Sequence, residues 1–118
     1  MVKIPPMETP SDNVTIVIKD FDSSIHIHAL MNGRKIGYVY LTRINEVKVK
    51  LADILVQEGY QRIGIGNMLI NEAIQIARGL GKNEIYGTMI GDTNMLTYFY
   101  KKHDFEMHDG KLSLSLLK

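Results

Sequence analysis

Hydrophobic and polar residues alternate in three stretches near the start of the chain. Residues 14–19 are rich in β-branched side chains, residues 25–31 alternate apolar with polar, and residues 35–41 follow Asn32-Gly33. Such runs favour strands, and Asn-Gly between two of them is typical of a two-residue hairpin turn. The pattern predicts an antiparallel meander of three strands.

The fourth predicted strand, residues 47–56, begins with alternation and ends in an apolar run that only Asp53 interrupts. A strand that loses its alternation is expected to be buried on both faces. A helical pattern follows, because apolar residues recur at intervals of three and four from Ile65 onward. We predict a helix that covers this strand and ends at Gly79 or Gly81.

The remaining segments complete a layered domain. Residues 84–89 read as a short strand, and the order strand, helix, strand implies that the two strands are parallel. A second helix from Asn94 to about Lys102 and a hairpin of residues 105–108 and 111–117 follow. The expected fold is α+β, a single domain whose mixed, mostly antiparallel twisted sheet contains a central parallel strand-helix-strand unit and packs with two main helices.

All three prolines lie within the first ten residues, at positions 5, 6 and 10. Proline lacks an amide donor and disfavours the helical region in the residue before it. We therefore predict an extended or mobile arm over residues 1–12 and one folded domain over residues 13–118.

The composition is that of one ordinary globular domain, with 118 residues, of which 45% are hydrophobic and 23% charged. A formal net charge of +1 gives no long-range field, so neither nucleic acid nor an anionic membrane is expected as a partner. The absence of cysteine excludes disulfides, thiolate metal sites and a cysteine nucleophile. No apolar run is long enough for a transmembrane helix and no signal peptide is evident, so a cytoplasmic location is expected.

His26 and His28 lie two residues apart on a predicted strand, so their side chains share one face. They could bind a divalent cation together with a third ligand. The sequence places no carboxylate or further histidine beside them. We interpret both as surface histidines and predict no metal site.

A glycine-rich segment joins the fourth strand to the first helix. It consists of Gln61, Arg62, Ile63, Gly64, Ile65 and Gly66. The first amides of a helix lack internal partners and carry partial positive charge, and glycine lets the backbone approach a phosphate closely. The segment therefore predicts a pyrophosphate site, although a tight turn that only packs the helix on the strand would have the same pattern. A P-loop is missing, and Leu69 replaces the third glycine of the dinucleotide fingerprint, so ATP hydrolysis and nicotinamide binding are not expected.

Three segments resemble the GNAT superfamily of acyl-CoA-dependent N-acyltransferases. Residues 61–66 are similar to its acyl-CoA loop, Gln/Arg-x-x-Gly-x-Gly/Ala. Residues 94–105 resemble a second signature, an asparagine opening a helix that ends in Tyr-x-x-x-Gly-Phe, and residues 33–41 resemble the second and third strands of the family. The resemblance implies direct transfer of an acetyl group from acetyl-CoA, as cosubstrate, to a primary amine of a small molecule or peptide.

The resemblance also implies how acetyl-CoA binds. The amides of residues 61–66 would hold the pyrophosphate, with Arg62 near the phosphates. The pantetheine arm would pair with the backbone from Ile54 to Val56, where the fourth strand and the next parallel strand splay apart. Asn94 would touch the pantetheine.

Catalytic roles follow from the same resemblance. Tyr100 would stand beside the sulfur and donate a proton to the leaving thiolate, and a backbone amide near Val56 would stabilise the oxyanion. Lys50 occupies the position where some members carry a glutamate base, so Asp53 is the expected general base and Glu46 a second choice. Water is the remaining alternative.

The chain departs from the family pattern at three places. Asp104 replaces the glycine before the phenylalanine, and Asn94 lies six rather than seven residues before Tyr100. The family usually inserts two helices between its first two strands, where this chain has only residues 20–24. The acceptor side should therefore be open, or be completed by the N-terminal arm or by a second subunit in a homodimer.

Two other functions are compatible with the same residues. A non-catalytic acyl-CoA-binding or regulatory domain would explain the missing helices and the absent strand glutamate. A phosphate-binding interaction domain unrelated to CoA would explain the glycine-rich segment alone.

Overall fold

A computed structural model describes residues 14–61, 63–88 and 93–117, with residues 93–96 described by their backbone alone. The elements in chain order are β1 (Val14–Asp20), β2 (Ser24–Met31), β3 (Arg34–Arg43), β4 (Lys48–Val56), α1 (Ile65–Gly79), β5 (Glu84–Thr88), α2 (Thr93–Lys101), β6 (Glu106–His108) and β7 (Lys111–Ser115).

The strands form one seven-stranded sheet in the order β1-β2-β3-β4-β5-β7-β6. Neighbouring strands are antiparallel except β4 and β5, which are parallel and are connected through α1. The predicted α+β class, the meander and the central parallel unit are therefore confirmed.

Turn chemistry sets both predicted hairpins. Asn32 and Gly33 have φ of 55° and 79°, and Asp109 and Gly110 have φ of 52° and 75°. Two consecutive positive φ angles are the geometry of a type I′ turn, whose twist matches that of the flanking strands. Asp104, which replaces the glycine of the family pattern, has a φ of 72° and so keeps the left-handed conformation after the second helix.

The core lies between α1 and one face of the sheet. It contains Ile25, Ile27, Ala29, Val39, Leu41, Val49, Leu51 and Ile85 from the strands and Ile65, Leu69, Ile70, Ala73 and Ala77 from α1. Gly37 allows α1 to approach the sheet closely, because a Cβ at this position would lie 3.0 Å from the carbonyl oxygen of Leu55 and 3.2 Å from Cδ1 of Leu69.

The expectation that β4 is buried on both faces is wrong. Its first half alternates, with Val49 and Leu51 buried, and Leu55 is 46% exposed. The pairing with β3 shifts between Tyr40 and Leu41, which leaves Ala52 as a bulged residue. Apolar residues lie on both sides of Asp53 because the bulge changes which positions face α1, and they do not indicate burial on two sides.

The sheet face opposite α1 carries stacked rings, and we call it the tyrosine face. Tyr38 stacks on Tyr40 at 4.3 Å, Tyr40 stacks on His26 at 4.0 Å, and Phe21 meets His26 edge-on at 4.8 Å between ring centroids. The rings pack against one another along a row across β2 and β3.

A short turn joins β1 to β2, as the sequence predicted. Asp20 accepts a hydrogen bond from the amide of Asp22 at 2.8 Å and forms an ion pair with Arg43, also at 2.8 Å. The turn is thus fixed to the end of β3, and no helix intervenes between the first two strands.

Candidate cofactor and catalytic site

A gap opens between the two parallel strands. β4 pairs with β5 only through residues 48–50, opposite residues 84–86. Gly87 still lies close to β4, since a Cβ there would be 3.0 Å from the carbonyl oxygen of Leu51. Beyond the Ala52 bulge, β4 continues to pair with β3 alone. Within the described residues, one edge of the second half of β4 therefore faces the gap without a partner strand.

The backbone of Ile54 and Val56 points into this gap. The amide of Gln57 donates to the carbonyl of Ile36 in β3 at 2.8 Å. Backbone groups alternate in direction along an antiparallel strand, so those of Val56 and Ile54 face the other edge. The side-chain amide of Gln61 donates to the carbonyl oxygen of Val56 at 2.9 Å. The gap is thus bordered by both backbone groups of Ile54 and by the amide of Val56.

A cavity of about 520 Å³ adjoins the gap. Its lining contains the end of β4, the loop before α1, the first turn of α1 and the outer side of α2: Ile54, Leu55, Val56, Gln61, Gly64, Gly66, Asn67, Tyr98, Phe99 and Lys102. This volume lies within the range of roughly 300–1,000 Å³ that is typical of small-molecule sites. Lys102 supplies a positive charge, and its Nζ lies 5.7 Å from the ring centroid of Tyr98.

The start of α1 presents free amides to the cavity. Gly64 caps the helix with φ of 97°, no side chain caps it, and its first turn contains no acidic residue. The first internal bond runs from the amide of Met68 to the carbonyl of Gly64. The amides of Ile65, Gly66 and Asn67 therefore have no partner within the helix, which is the arrangement that binds anions.

The two glycines of the loop serve different purposes. Gly64 provides the left-handed conformation. Gly66 provides space, because a Cβ there would lie 3.2 Å from Cε1 of Phe99. Replacing either one should disturb the cavity, but for separate physical reasons.

A contact that sequence reasoning missed joins the two helices at the cavity. Nε2 of His103 lies 2.9 Å from Oδ1 of Asn67. Burial lowers the pKa of His103, so its neutral form is favoured, and Nε2–H then donates to the amide oxygen. This bond holds the first turn of α1 against the end of α2.

Tyr100 is buried and does not line the cavity. It is 3% exposed and packs edge-on against Phe99 at 5.2 Å and Phe105 at 5.4 Å. Burial and, to a smaller extent, the negative charge of Asp53 raise the pKa of Tyr100 to about 12. Its phenol is therefore protonated at neutral pH, and Phe99 is the neighbour that reaches the cavity.

Asp53 projects from β4 onto the tyrosine face. It is exposed and accepts a hydrogen bond from the hydroxyl of Tyr38 at 2.8 Å. This bond is the main cause that raises the pKa of Tyr38 to about 12. The charge of Asp53 also contributes, after burial, to the raised pKa of Tyr100.

The other predicted residues are placed as follows. Ile65 is fully buried, so only its amide can serve a ligand, and Ile63 is 45% exposed. Arg62 lies outside the described residues. Asn94 lies in the first turn of α2, and its side chain also lies outside the described part.

Within the described part of the chain, no group of three or more histidine, cysteine, aspartate and glutamate side chains could hold a metal ion. None of the described helices has both the length and the apolar character that crossing a membrane requires.

The sequence matches the model of the Acetyltransferase (GNAT) family over residues 3–105. No functionally curated protein matches it. Among solved structures, a GNAT family acetyltransferase from Elizabethkingia anophelis with acetyl-CoA bound is similar with a TM-score of 0.78 at 18% identity, covering 89% of this chain and 99% of that one.

Two further structures extend the likeness. The PaiA N-acetyltransferase from Thermoplasma acidophilum in complex with coenzyme A has a TM-score of 0.68 at 21% identity, with 79% of this chain and 60% of that one covered. Ard1 from Thermoplasma volcanium has a TM-score of 0.74 at 15% identity, with 79% and 71% covered. At these identities the likeness establishes the fold.

Proposed function

Because the chain belongs to the GNAT family of acetyltransferases, we propose that it moves the acetyl group of acetyl-CoA directly to a primary amine. The observation that carries the proposal is the gap beside Ile54 and Val56, which opens next to a cavity at an uncapped helix start. Direct transfer is favoured over an acyl-thiol enzyme because the chain has no cysteine. The amine acceptor is a small molecule or a peptide.

Acetyl-CoA would bind along the cavity from the helix start to the gap. The free amides at the start of α1 would hold the pyrophosphate, together with Arg62. The pantetheine arm would enter the gap as an extra strand and pair with Ile54 and with the amide of Val56, near Asn94. The presence of acetyl-CoA and coenzyme A in two structures of the same fold supports acetyl-CoA as the cosubstrate.

Acyl transfer would use groups on both sides of the gap. The amine nitrogen attacks the thioester carbonyl carbon, the carbon–sulfur bond breaks, the amine loses a proton and the sulfur gains one. The amide of Val56 would stabilise the oxyanion. Tyr100 would give the proton to sulfur; burial raises its pKa to about 12, so the phenol carries its proton at neutral pH.

Asp53 would receive the proton of the amine, either directly or through water. Its exposure on the tyrosine face supports this role, because an acceptor could approach from that side. The hydrogen bond from Tyr38 fixes the orientation of the carboxylate. Glu46 is exposed in the link before β4 and is the second candidate.

The decisive experiment compares Tyr100→Phe with Tyr86→Phe. Both remove one tyrosine hydroxyl, but Tyr86 lies in β5, outside the lining of the cavity, and serves as the control. With a panel of primary amines and saturating acetyl-CoA, thiol release should fall about 100-fold or more for Tyr100→Phe, as is usual for loss of a general acid. The affinity for CoA, measured by calorimetry, should stay within about twofold of the wild-type value.

Other outcomes would separate the alternatives. Unchanged turnover in Tyr100→Phe would exclude Tyr100 as the proton donor. CoA binding without turnover on any amine would favour a non-catalytic acyl-CoA-binding domain, for which the burial of Tyr100 away from the cavity surface is the main support. Equal affinity for ATP and CoA would favour the phosphate-binding alternative.

The role of Asp53 has its own test. Asp53→Asn should lower kcat/KM about 100-fold at neutral pH. Glu46→Gln tests the second candidate, since it neutralises the other carboxylate. If neither variant lowers kcat/KM, water is the base.

A further inference from the structure

β1 forms one edge of the sheet, and it differs from the opposite edge. β6 at the far edge has three residues, of which Glu106 and His108 are exposed. β1 has seven residues, contains no proline, and pairs with β2 without a register shift. Natural edge strands are usually shortened, charged or bulged to prevent pairing with another chain. β6 has such protection and β1 lacks most of it.

The outward hydrogen-bonding groups of β1 can be assigned. The amide of Phe21 donates to the carbonyl of Ser24 at 2.8 Å and closes the hairpin with β2. Since directions alternate along the strand, Lys19, Val17 and Thr15 direct their backbone groups toward β2. The groups that point outward belong to every second residue: Val14, Ile16, Ile18 and Asp20. No strand among the described residues pairs with them.

We propose that two copies of the chain join through β1, antiparallel, about a two-fold axis at Val17. In this register Ile16 lies opposite Ile18 of the partner subunit, and the reverse pair forms on the other side of the axis. All seven residues of β1 take part, and the outward backbone groups of the two copies satisfy each other. The apolar pair would cover Ile18, which is 48% exposed in the single chain.

The charges of β1 favour the same register. Lys19 lies opposite the uncharged Thr15 of the partner subunit, and Asp20 lies opposite the partner's Val14. No like charges meet, although like charges directly opposite would be destabilising. A shift of two residues toward the turn would place Asp20 opposite Ile16 and lose the pairing of Val14. The strand is therefore self-complementary in one register.

A two-fold axis normal to the sheet has a consequence for the whole particle. Both copies of α1 lie on the same side, and the two tyrosine faces join on the other side into one surface across fourteen strands, twice the seven of one chain. Such an isologous contact closes on itself and gives a dimer rather than a fibre.

The absence of cysteine allows a direct test with single thiols in the 118-residue chain. Val17 lies at a non-hydrogen-bonded position of the new pair, where opposite Cα atoms are about 4.5 Å apart, within the range of a disulfide. Val17→Cys should therefore cross-link to itself on mild oxidation. Lys19→Cys on the same face is the control, because its own copy would be about 13 Å away.

The double variant Thr15→Cys/Lys19→Cys should cross-link, since those positions lie opposite each other. Light scattering of the wild type at tens of micromolar should give twice the 13.4 kDa chain mass. Ile18→Lys, at an exposed position, should remain folded by circular dichroism and become monomeric. A monomeric wild type would overturn the proposal. The proposal would also be overturned if Ile18→Lys remained dimeric and Val17→Cys failed to cross-link.

Discussion

Replacing Gly37 by alanine tests how closely α1 must approach the sheet beside the cavity. The added Cβ would lie 3.0 Å from the carbonyl oxygen of Leu55, 3.2 Å from Cδ1 of Leu69 and 3.3 Å from Cγ2 of Ile65. Side chains can turn aside, but the backbone oxygen cannot. Either β4 or the start of α1 must therefore move.

The expected magnitude is the difference of two opposing effects. Inserting a methyl group into a filled core costs about 1–3 kcal/mol. Gly→Ala also restricts the unfolded chain, which stabilises the protein by about 0.4–1 kcal/mol where the backbone is compatible, and Gly37 has no positive φ. We expect a net loss of about 1–2 kcal/mol, or roughly 5–10 °C in Tm for a chain of this size.

The matched control is Gly79→Ala. Gly79 is the last residue of α1, and a Cβ there would meet nothing within 4 Å, so the change should stabilise the protein by up to about 1 kcal/mol. Urea unfolding of both variants gives the two free energies of unfolding. Only Gly37→Ala should also weaken CoA binding, because Leu55 lines the cavity. A Gly37→Ala variant as stable as wild type would show that this contact does not limit the approach of α1.

Three further predictions concern charge and space. The hydrogen bond from Arg43 lowers the pKa of Asp20 to about 2. The difference in urea midpoint between wild type and Asp20→Asn should therefore be constant above about pH 4 and vanish toward pH 2. An equal difference at pH 2 and pH 7 would contradict this. Burial lowers the pKa of His103 from 6.5, so the folded state loses stability as the pH falls below that value. The loss of Tm between pH 7 and pH 5 should therefore be smaller in His103→Gln than in the wild type. An identical loss would exclude His103 as the source of this pH dependence. Gly66→Ala should weaken CoA binding several-fold by displacing Phe99, and Phe99→Leu in the same chain should restore part of the affinity measured by calorimetry; if it restores none, the Cβ acts on the ligand itself.

Much of the fold is encoded locally. Asn32-Gly33 and Asp109-Gly110 determine their turns through backbone preferences that can be read from two residues. The parallel pair follows from the order of strand, helix and strand. The burial of β4 was predicted wrongly because the bulge at Ala52 and the divergence from β5 depend on partner strands that the local sequence does not reveal.

The candidate site was likewise predictable from the sequence only where its features are local. The glycine loop is local, so its position at a helix start was predictable from residues 61–66. The bond between Tyr38 and Asp53 joins residues 15 apart, and the contact between Asn67 and His103 joins residues 36 apart. Neither has a periodic signature in the chain. The roles of the site residues stay predictions until the variants are measured.

The bond from Gln61 to Val56 would limit how the thiol arm of acetyl-CoA docks in the proposed site. The carbonyl of Val56 already accepts a hydrogen bond from Gln61. The first acceptor along β4 that no protein donor occupies would therefore be the carbonyl of Ile54, two residues further into the gap. The hydrogen bond from Gln61 to Val56 would thus determine where the pantetheine arm begins to pair with β4, before any contact with the acetyl group forms. Since this bond already holds the loop against β4 in the free protein, binding of the arm would cost little conformational entropy of the loop.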